Sequence, residues 1–262
     1  MPVSRRGQLP VWQQIAEELR TSINDGTLLP GSRLPTEAEL TERYQVARNT
    51  ARQALTALVN EGLVTPARPR GYFVRDRKPL YYRPQQEFRP RPLSPEMDIF
   101  LAEHSADGRQ PAQSIEVAIV DPPRDVKKRL NLGDGELAVV RRRVRYLDGE
   151  PFHTNDSYFP LRLVQDTEIM RPEDIARGAN QVLAEVGYLQ VRALDEFYVR
   201  MPTPDEARRL SIGPGTPIAY HLVTGLTEEG QPVRVVLNVL PGDRHVIAFE
   251  RTRVALPTQA AE

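Results

Sequence analysis

The amino-acid sequence predicts an α+β protein of two domains: a helical N-terminal unit closed by a β-hairpin, then a larger antiparallel sheet with flanking helices. Three observations predict it. Apolar residues recur with a helical period from Val11 to Leu58. The charge divides unevenly, residues 1–91 holding 15 Lys and Arg against 9 Asp and Glu and the remainder 20 against 26. The second half of the chain repeats itself at a spacing of 80 residues. With 262 residues the chain can bury two cores.

The first helix follows from Val11, Ile15, Leu19 and Ile23, four residues apart on one stripe, and ends at "NDG", where Gly26 can take the left-handed conformation that closes a helix. Pro30-Gly31 marks a turn. Thr36 and Glu39 then have capping-box spacing and start a short second helix that runs to about Tyr44. After a tight turn at "QVA", a third helix buries Ala51, Ala54, Leu55 and Leu58 on one arc and projects Arg48, Asn49, Arg52 and Thr56 from the next; it ends at Glu61-Gly62. "LVTPARPRGYFV" reads as two short strands around a Pro/Arg/Gly loop, which places Arg68, Arg70 and Gly71 at a hairpin tip. In a helix-turn-helix the second helix of the pair enters the major groove, and its first residues meet base edges and phosphates. Arg pairs with guanine, Asn with adenine, and either can hold phosphate. The basic N-terminal third therefore points to duplex DNA as partner.

Residues 76–95 hold five prolines, five Lys or Arg and no glycine, which predicts a semi-extended, stiff linker with solvated charges. Ser94 and Pro95 then have the residue types of an N-cap and first position, predicting a helix to about His104.

The repeat aligns "RLNLGDGELAVVRRRVRYLDGEPF" from Arg129 with "RLSIGPGTPIAYHLVTGLTEEGQPV" from Arg209. Leu130, Gly133 and Gly135 match Leu210, Gly213 and Gly215; after one insertion, Gly149 and Pro151 match Gly230 and Pro232. Each copy reads as a helix end, a glycine turn, a long strand, a hairpin and a return strand. A helix from Pro172 to Val186 and a strand near Val191–Met201 join them, and Thr203 with Glu206 caps the helix of the second copy. In the first copy Arg141, Arg143 and Arg145 alternate and so share one strand face, where like charges repel unless something anionic meets them. The choice is between carboxylates on a neighbouring strand, an exposed sheet face and an anion pocket.

The chain has no cysteine, which excludes disulfides and thiolate metal sites, and His104, His153, His221 and His245 lack ligand spacing. No catalytic constellation, metal site or cofactor motif is expected. No apolar run is long enough for a bilayer, and "MPVSRRGQLPVW" lacks the apolar core of a signal segment, so a cytoplasmic protein without membrane contact is expected.

On "PGSRLPTEAEL", "VARNTARQAL" and the glycine of "RPRGYFV", residues 10–75 resemble the winged helix-turn-helix of the GntR family of bacterial transcription regulators. That resemblance implies DNA contacts from Thr36, Glu37, Arg48, Asn49, Thr50, Arg52, Arg70 and Gly71. Many members carry Arg where this chain has Ala38. On "VRYLDGEPFHTNDSYFP" and "GQPVRVVLNVLPGDRHVIAFE", the C-terminal region resembles the effector-binding UTRA domain of the HutC subgroup. The implied fold is an antiparallel sheet with flanking helices, chorismate-lyase-like, and the implied ligand-holding residues are Ser94, Arg143, Arg145, Asn155, Ser157 and Glu196. Sugar-binding members usually carry acids where this chain has Asn155 and Arg234, so the implied effector is a small anion of unspecified identity. The expected domains are 1–75 (DNA-binding), 76–95 (linker), 96–252 (effector-binding and dimerisation) and 253–262 (tail). The expected function is a homodimeric, ligand-responsive repressor on a palindromic operator; the alternatives are a regulator with a vestigial pocket and an enzyme acting on a small anion.

Overall fold

The computed structural model describes residues 9–67, 69–76, 80–88, 101, 104–105 and 108–251. Arg68, Ser94 and the first residues of the helix expected after Ser94 lie outside the described residues.

Three helices, α1 (Val11–Asn24), α2 (Glu37–Tyr44) and α3 (Arg48–Asn60), and the hairpin β1 (Val64–Ala67)/β2 (Gly71–Val74) form the N-terminal unit. Of the residues the periodicity marks, Ile15, Leu19, Ala51, Ala54, Leu55 and Leu58 are buried and Val11 and Ile23 partly so; Ala16 and Leu40 join this core, and Val64 and Val74 from the hairpin close over it. The capping box forms as expected. Glu39 N–H donates to Thr36 Oγ1 at 3.2 Å, and Thr36 N–H donates to the Glu39 carboxylate at 2.6 Å. Gln45 takes the left-handed conformation that reverses the chain between α2 and α3. The hairpin is antiparallel, with Val64 opposite Val74 and Ala67 opposite Gly71.

The second unit is a six-stranded antiparallel sheet built from β4 (Pro111–Val120), β5 (Ala138–Leu147), β6 (Glu150–Pro160), β7 (Arg192–Arg200), β8 (Ile218–Leu226) and β9 (Pro232–Pro241), in the order β4-β5-β6-β9-β8-β7. The repeat read from the sequence is real and one strand longer than it looked. β4, α4 (Arg124–Arg129), β5 and β6 make one copy; β7, α7 (Pro204–Arg209), β8 and β9 make the other, and β6 pairs with β9 at the seam. Both copies place left-handed residues at matching turns: Asn131 and Ser211, Gly135 and Gly215, Gly149 and Gly230. The Thr203/Glu206 capping box starts α7. One face carries α4 and α7, which pack Val126, Leu130 and Leu210 against the sheet. The opposite face carries α5 (Leu161–Val164), a 3-10 turn at Glu168–Met170 and α6 (Ala179–Glu185), over Val139, Phe159 and Val233.

Two expectations are corrected. The helix predicted over Pro172–Val186 is only α6; residues before it are irregular because the Ile169, Arg171 and Glu173 carbonyls all accept from the buried Arg141 guanidinium, and Gly178, at φ 80°, opens the helix. Ile175 still reaches the core, which is the source of the apparent periodicity. Within the proline-rich segment, β3 (Leu80–Tyr82) pairs in parallel with β10 (His245–Ile247), and Pro84–Phe88 forms a 3-10 turn. Its charges are not all solvated either, since Glu87 bonds Arg234 at 2.7 Å. Short-range periodicity cannot register a three-residue strand whose partner lies some 165 positions away.

Candidate nucleic-acid interface and ligand pocket

At the N-terminus of α3, Ala47 supplies no side-chain cap and Thr50 N–H donates back to the Ala47 carbonyl at 2.9 Å; an uncapped helix start is chemically suited to a phosphate. Arg48 and Asn49 are exposed there and Thr50 is half-buried. The two arginines converge on one carboxylate: Arg48 Nε donates to Glu37 at 2.7 Å, and Arg52 donates through Nε at 2.9 Å and Nη2 at 3.0 Å. Glu37 is 15% exposed, whereas the Arg48 and Arg52 side chains are 74% and 51% exposed. The arginines therefore present outward what Glu37 holds from behind. Their hydrogen bonds, Arg52 first, hold the Glu37 carboxyl down at about 2. The Thr36 hydroxyl is engaged in the capping box. On the wing, Arg70 is exposed with its guanidinium over the Phe73 ring, and Gly71, at φ 110°, lets the chain turn into β2 beside Arg33.

In the second unit, a cavity of about 230 Å³ opens between the sheet and the segment carrying β3. Arg143, Arg145, Asn155 and Ser157 all line it. Arg141, on the same strand face, does not: it is fully buried and structural. Glu196 is corrected as well. It falls on the other face of β7, where Arg129 of α4 pairs with it at 2.5 Å; strand alternation gives the pocket Asp195 in its place.

The floor of the pocket is one directional hydrogen-bond chain. Arg143 can only donate, and it does so to Asn155 Oδ1 at 3.2 Å, as does Ser157. This orients Asn155 to donate through Nδ2 to Asn238 Oδ1 at 2.7 Å, and Asn238 Nδ2 to face His221 Nδ1 at 3.2 Å. His221 Nε2 lies 2.7 Å from Asp195 Oδ1. With a pure donor at one end and a carboxylate at the other, every link points the same way, which assigns the His221 proton to Nε2 and leaves Nδ1 an acceptor. Phe197 stacks on the same ring at 4.1 Å.

All four histidines of the chain line this cavity, although their sequence spacing shows no relation. Burial, reinforced by Arg145, holds His153 well below its ordinary value; burial likewise brings His245 to about 4. Both are neutral near pH 7. The lining then carries four guanidiniums, Arg83, Arg143, Arg145 and Arg234, against two carboxylates, Glu87 and Asp195. Tyr82, Asp195, His221 and Asn238 were not legible as site residues, because only the sheet register brings them together. The one available signal was Arg234, which breaks the acidic pattern of the resembling family.

A winged helix with a presented guanidinium pair, joined to a sheet domain with a cation-rich cavity, defines a DNA-binding regulator with a ligand domain. Residues 12–74 match the bacterial regulatory proteins of the gntR family, and residues 107–246 match the UTRA domain. The chain belongs to the GntR family of transcription regulators and carries a UTRA domain, consistent with the HutC subgroup. It is 28% identical over 248 residues to the HTH-type transcriptional regulator SCO4628 of Streptomyces coelicolor, covering 92% of each chain. It is 26% identical over 257 residues to the HTH-type transcriptional repressor NagR of Bacillus subtilis, covering 97% of this chain and all (100%) of that one. Among solved structures, a GntR-family transcriptional regulator superposes with a TM-score of 0.64 at 25% identity, covering 94% of this chain and 98% of that one.

Proposed function

We propose that the chain is a homodimeric, ligand-responsive repressor that binds a palindromic operator in the cytoplasm and releases it when a small anionic effector enters the sheet pocket. The observation that carries the DNA half is the Arg48/Arg52 pair fixed over Glu37 at the uncapped start of α3. Asn49, Thr50, Thr36 and the wing residues Arg70 and Gly71 surround that pair, with Arg68 assigned to the same wing tip on the sequence alone. The name of NagR supports repression. The cation excess of the pocket supports an anion, with Arg143, Arg145, Asn155 and Ser157 as its holders. β7 is an edge strand with Leu194, Tyr198, Val199 and Met201 exposed along it, which supports self-association through residues 96–252. Residues 1–75 then bind DNA, and residues 76–95 connect the two units.

Effector binding works as a population shift: the ligand must favour the arrangement in which the two winged units no longer fit the operator spacing. The test begins with selection of an inverted-repeat duplex from a random pool, followed by anisotropy titration. Arg48→Ala and Arg52→Ala each cost about 1–3 kcal/mol of operator affinity where the contact is to a base, or flatten the salt dependence where it is to phosphate. Unchanged binding by both variants overturns the assignment. Thermal shift with a panel of anionic metabolites identifies the effector, whose stabilisation Arg143→Ala and Arg145→Ala abolish.

A further inference from the structure

Tyr82 stands where the two units are joined and also in the pocket wall. It lies on β3, eight positions after the last residue of the wing strand β2. Its strand is fastened to the segment at the end of β9: Leu80 N–H donates to the Arg244 carbonyl at 2.9 Å, and Ala248 N–H donates to the Tyr82 carbonyl at 3.0 Å. The other end of the same connection is fastened to the same place, because Arg75, one residue past β2, donates to the Asp243 carboxylate at 2.7 Å and to Thr216 Oγ1 at 3.4 Å. Arg75 N–H in turn donates to the Leu63 carbonyl, just beyond α3, at 2.9 Å. The wing, β3 and residues 243–248 are thus one mechanical unit, and Tyr82 is the side chain of β3 that reaches His221 in the cavity.

The Tyr82 hydroxyl lies 3.0 Å from His221 Nδ1. That nitrogen has one lone pair, and the directional chain described above already offers it a second donor, Asn238 Nδ2 at 3.2 Å. Two donors share one acceptor. Tyr82 can therefore leave His221 without stranding a buried acceptor, since Asn238 continues to satisfy it; the usual penalty for breaking a buried hydrogen bond is largely removed. Arg143 and Arg145 line the same cavity, so an oxyanion seated on them offers the phenol a charged acceptor, a stronger partner than a shared imidazole nitrogen.

We propose that Tyr82 is the residue through which the DNA-binding unit reads the pocket: an oxyanion on Arg143 and Arg145 draws the Tyr82 hydroxyl away from His221, and β3 carries that displacement to the winged helix. This rests on the anion-pocket reading for its trigger, but the tether itself is testable without any ligand. Tyr82→Phe removes the hydroxyl and keeps the ring. In the full-length ligand-free protein it raises hydrogen exchange at the Leu80 and Ala248 amides and weakens binding to the selected operator about two- to threefold, the low end of the range of one net hydrogen bond because Asn238 still satisfies His221. Asp243→Asn, which cuts the other fastening, shifts operator affinity in the same direction. Tyr146→Phe, outside the cavity lining, changes neither. If Tyr82→Phe folds with an unaltered unfolding midpoint, and its operator affinity and exchange at both amides equal wild type, the proposal is overturned. Inorganic phosphate serves as the probe in a second arm. It weakens wild-type operator binding and leaves the already weakened Tyr82→Phe protein unresponsive; an equal response of both proteins also overturns the role of Tyr82. Absence of any phosphate effect on wild type counts against the anion pocket and leaves the ligand-free arm to decide on Tyr82.

Discussion

Glu37→Gln tests whether the arrangement at α3 is pre-organised for DNA. The carboxyl falls from its ordinary 4.5 to about 2 because Arg52 and then Arg48 hydrogen-bond it. A shift of that size corresponds to a ceiling of about 3 kcal/mol. The arginines are 51% and 74% exposed, so solvent screening reduces the net contribution to about 1 kcal/mol. The folded value is depressed, so the stabilisation is fully present above pH 4.5 and disappears as pH falls towards 2. Glu37→Gln should therefore lower the denaturant-unfolding free energy by about 1 kcal/mol at pH 7 and remove the acid-side slope that this group contributes. On DNA the two effects oppose each other. One negative charge fewer beside the duplex strengthens binding to any sequence and steepens the salt dependence by about one counterion. Loss of the clamp releases the arginines from a fixed direction, and a misdirected base contact forfeits about 1–3 kcal/mol of discrimination. Anisotropy titrations against operator and scrambled duplex at several salt concentrations should show tighter non-specific binding with an operator-to-scrambled ratio about tenfold lower. An unchanged ratio, with wild-type salt dependence, would refute the idea that Glu37 aims the arginines.

Arg141→Ala should cost about 3 kcal/mol in urea unfolding, because one buried and two partly buried main-chain carbonyls lose a charged donor. Arg143→Ala should leave the fold within about 1 kcal/mol and abolish anion binding, and equal destabilisation by the two would contradict their separate roles. At Gly215, at φ 74°, an added Cβ collides with the backbone carbonyl of Asn60 at the end of α3, and backbone cannot step aside as a side chain can. Gly215→Ala should therefore part the two units, seen as a larger radius of gyration and faster exchange around Arg75. Lowering pH should destabilise the sheet domain. The unfolded His245 binds its proton near 6.5 and the folded one near 4, so stability is lost as pH falls between them, about 2 kcal/mol by pH 5. His245→Gln should flatten that dependence in calorimetry.

What the sequence determined by itself is the part governed by short-range periodicity. The α1 and α3 stripes, the Thr36/Glu39 box and the wing follow from residues within a few positions of one another. The duplication was equally legible, because matched glycines must take matched left-handed turns. Alternation placed Arg143 and Arg145 together. It could not separate them from Arg141, whose partners are main-chain carbonyls some thirty positions on. The tertiary structure decided the rest: which of Asp195 and Glu196 faces the cavity, that four unrelated histidines share it, and that a proline-rich stretch supplies both a pocket wall and a strand. These facts depend on the register of strands far apart in sequence, and a one-residue change in register moves every side chain of a strand to the other face.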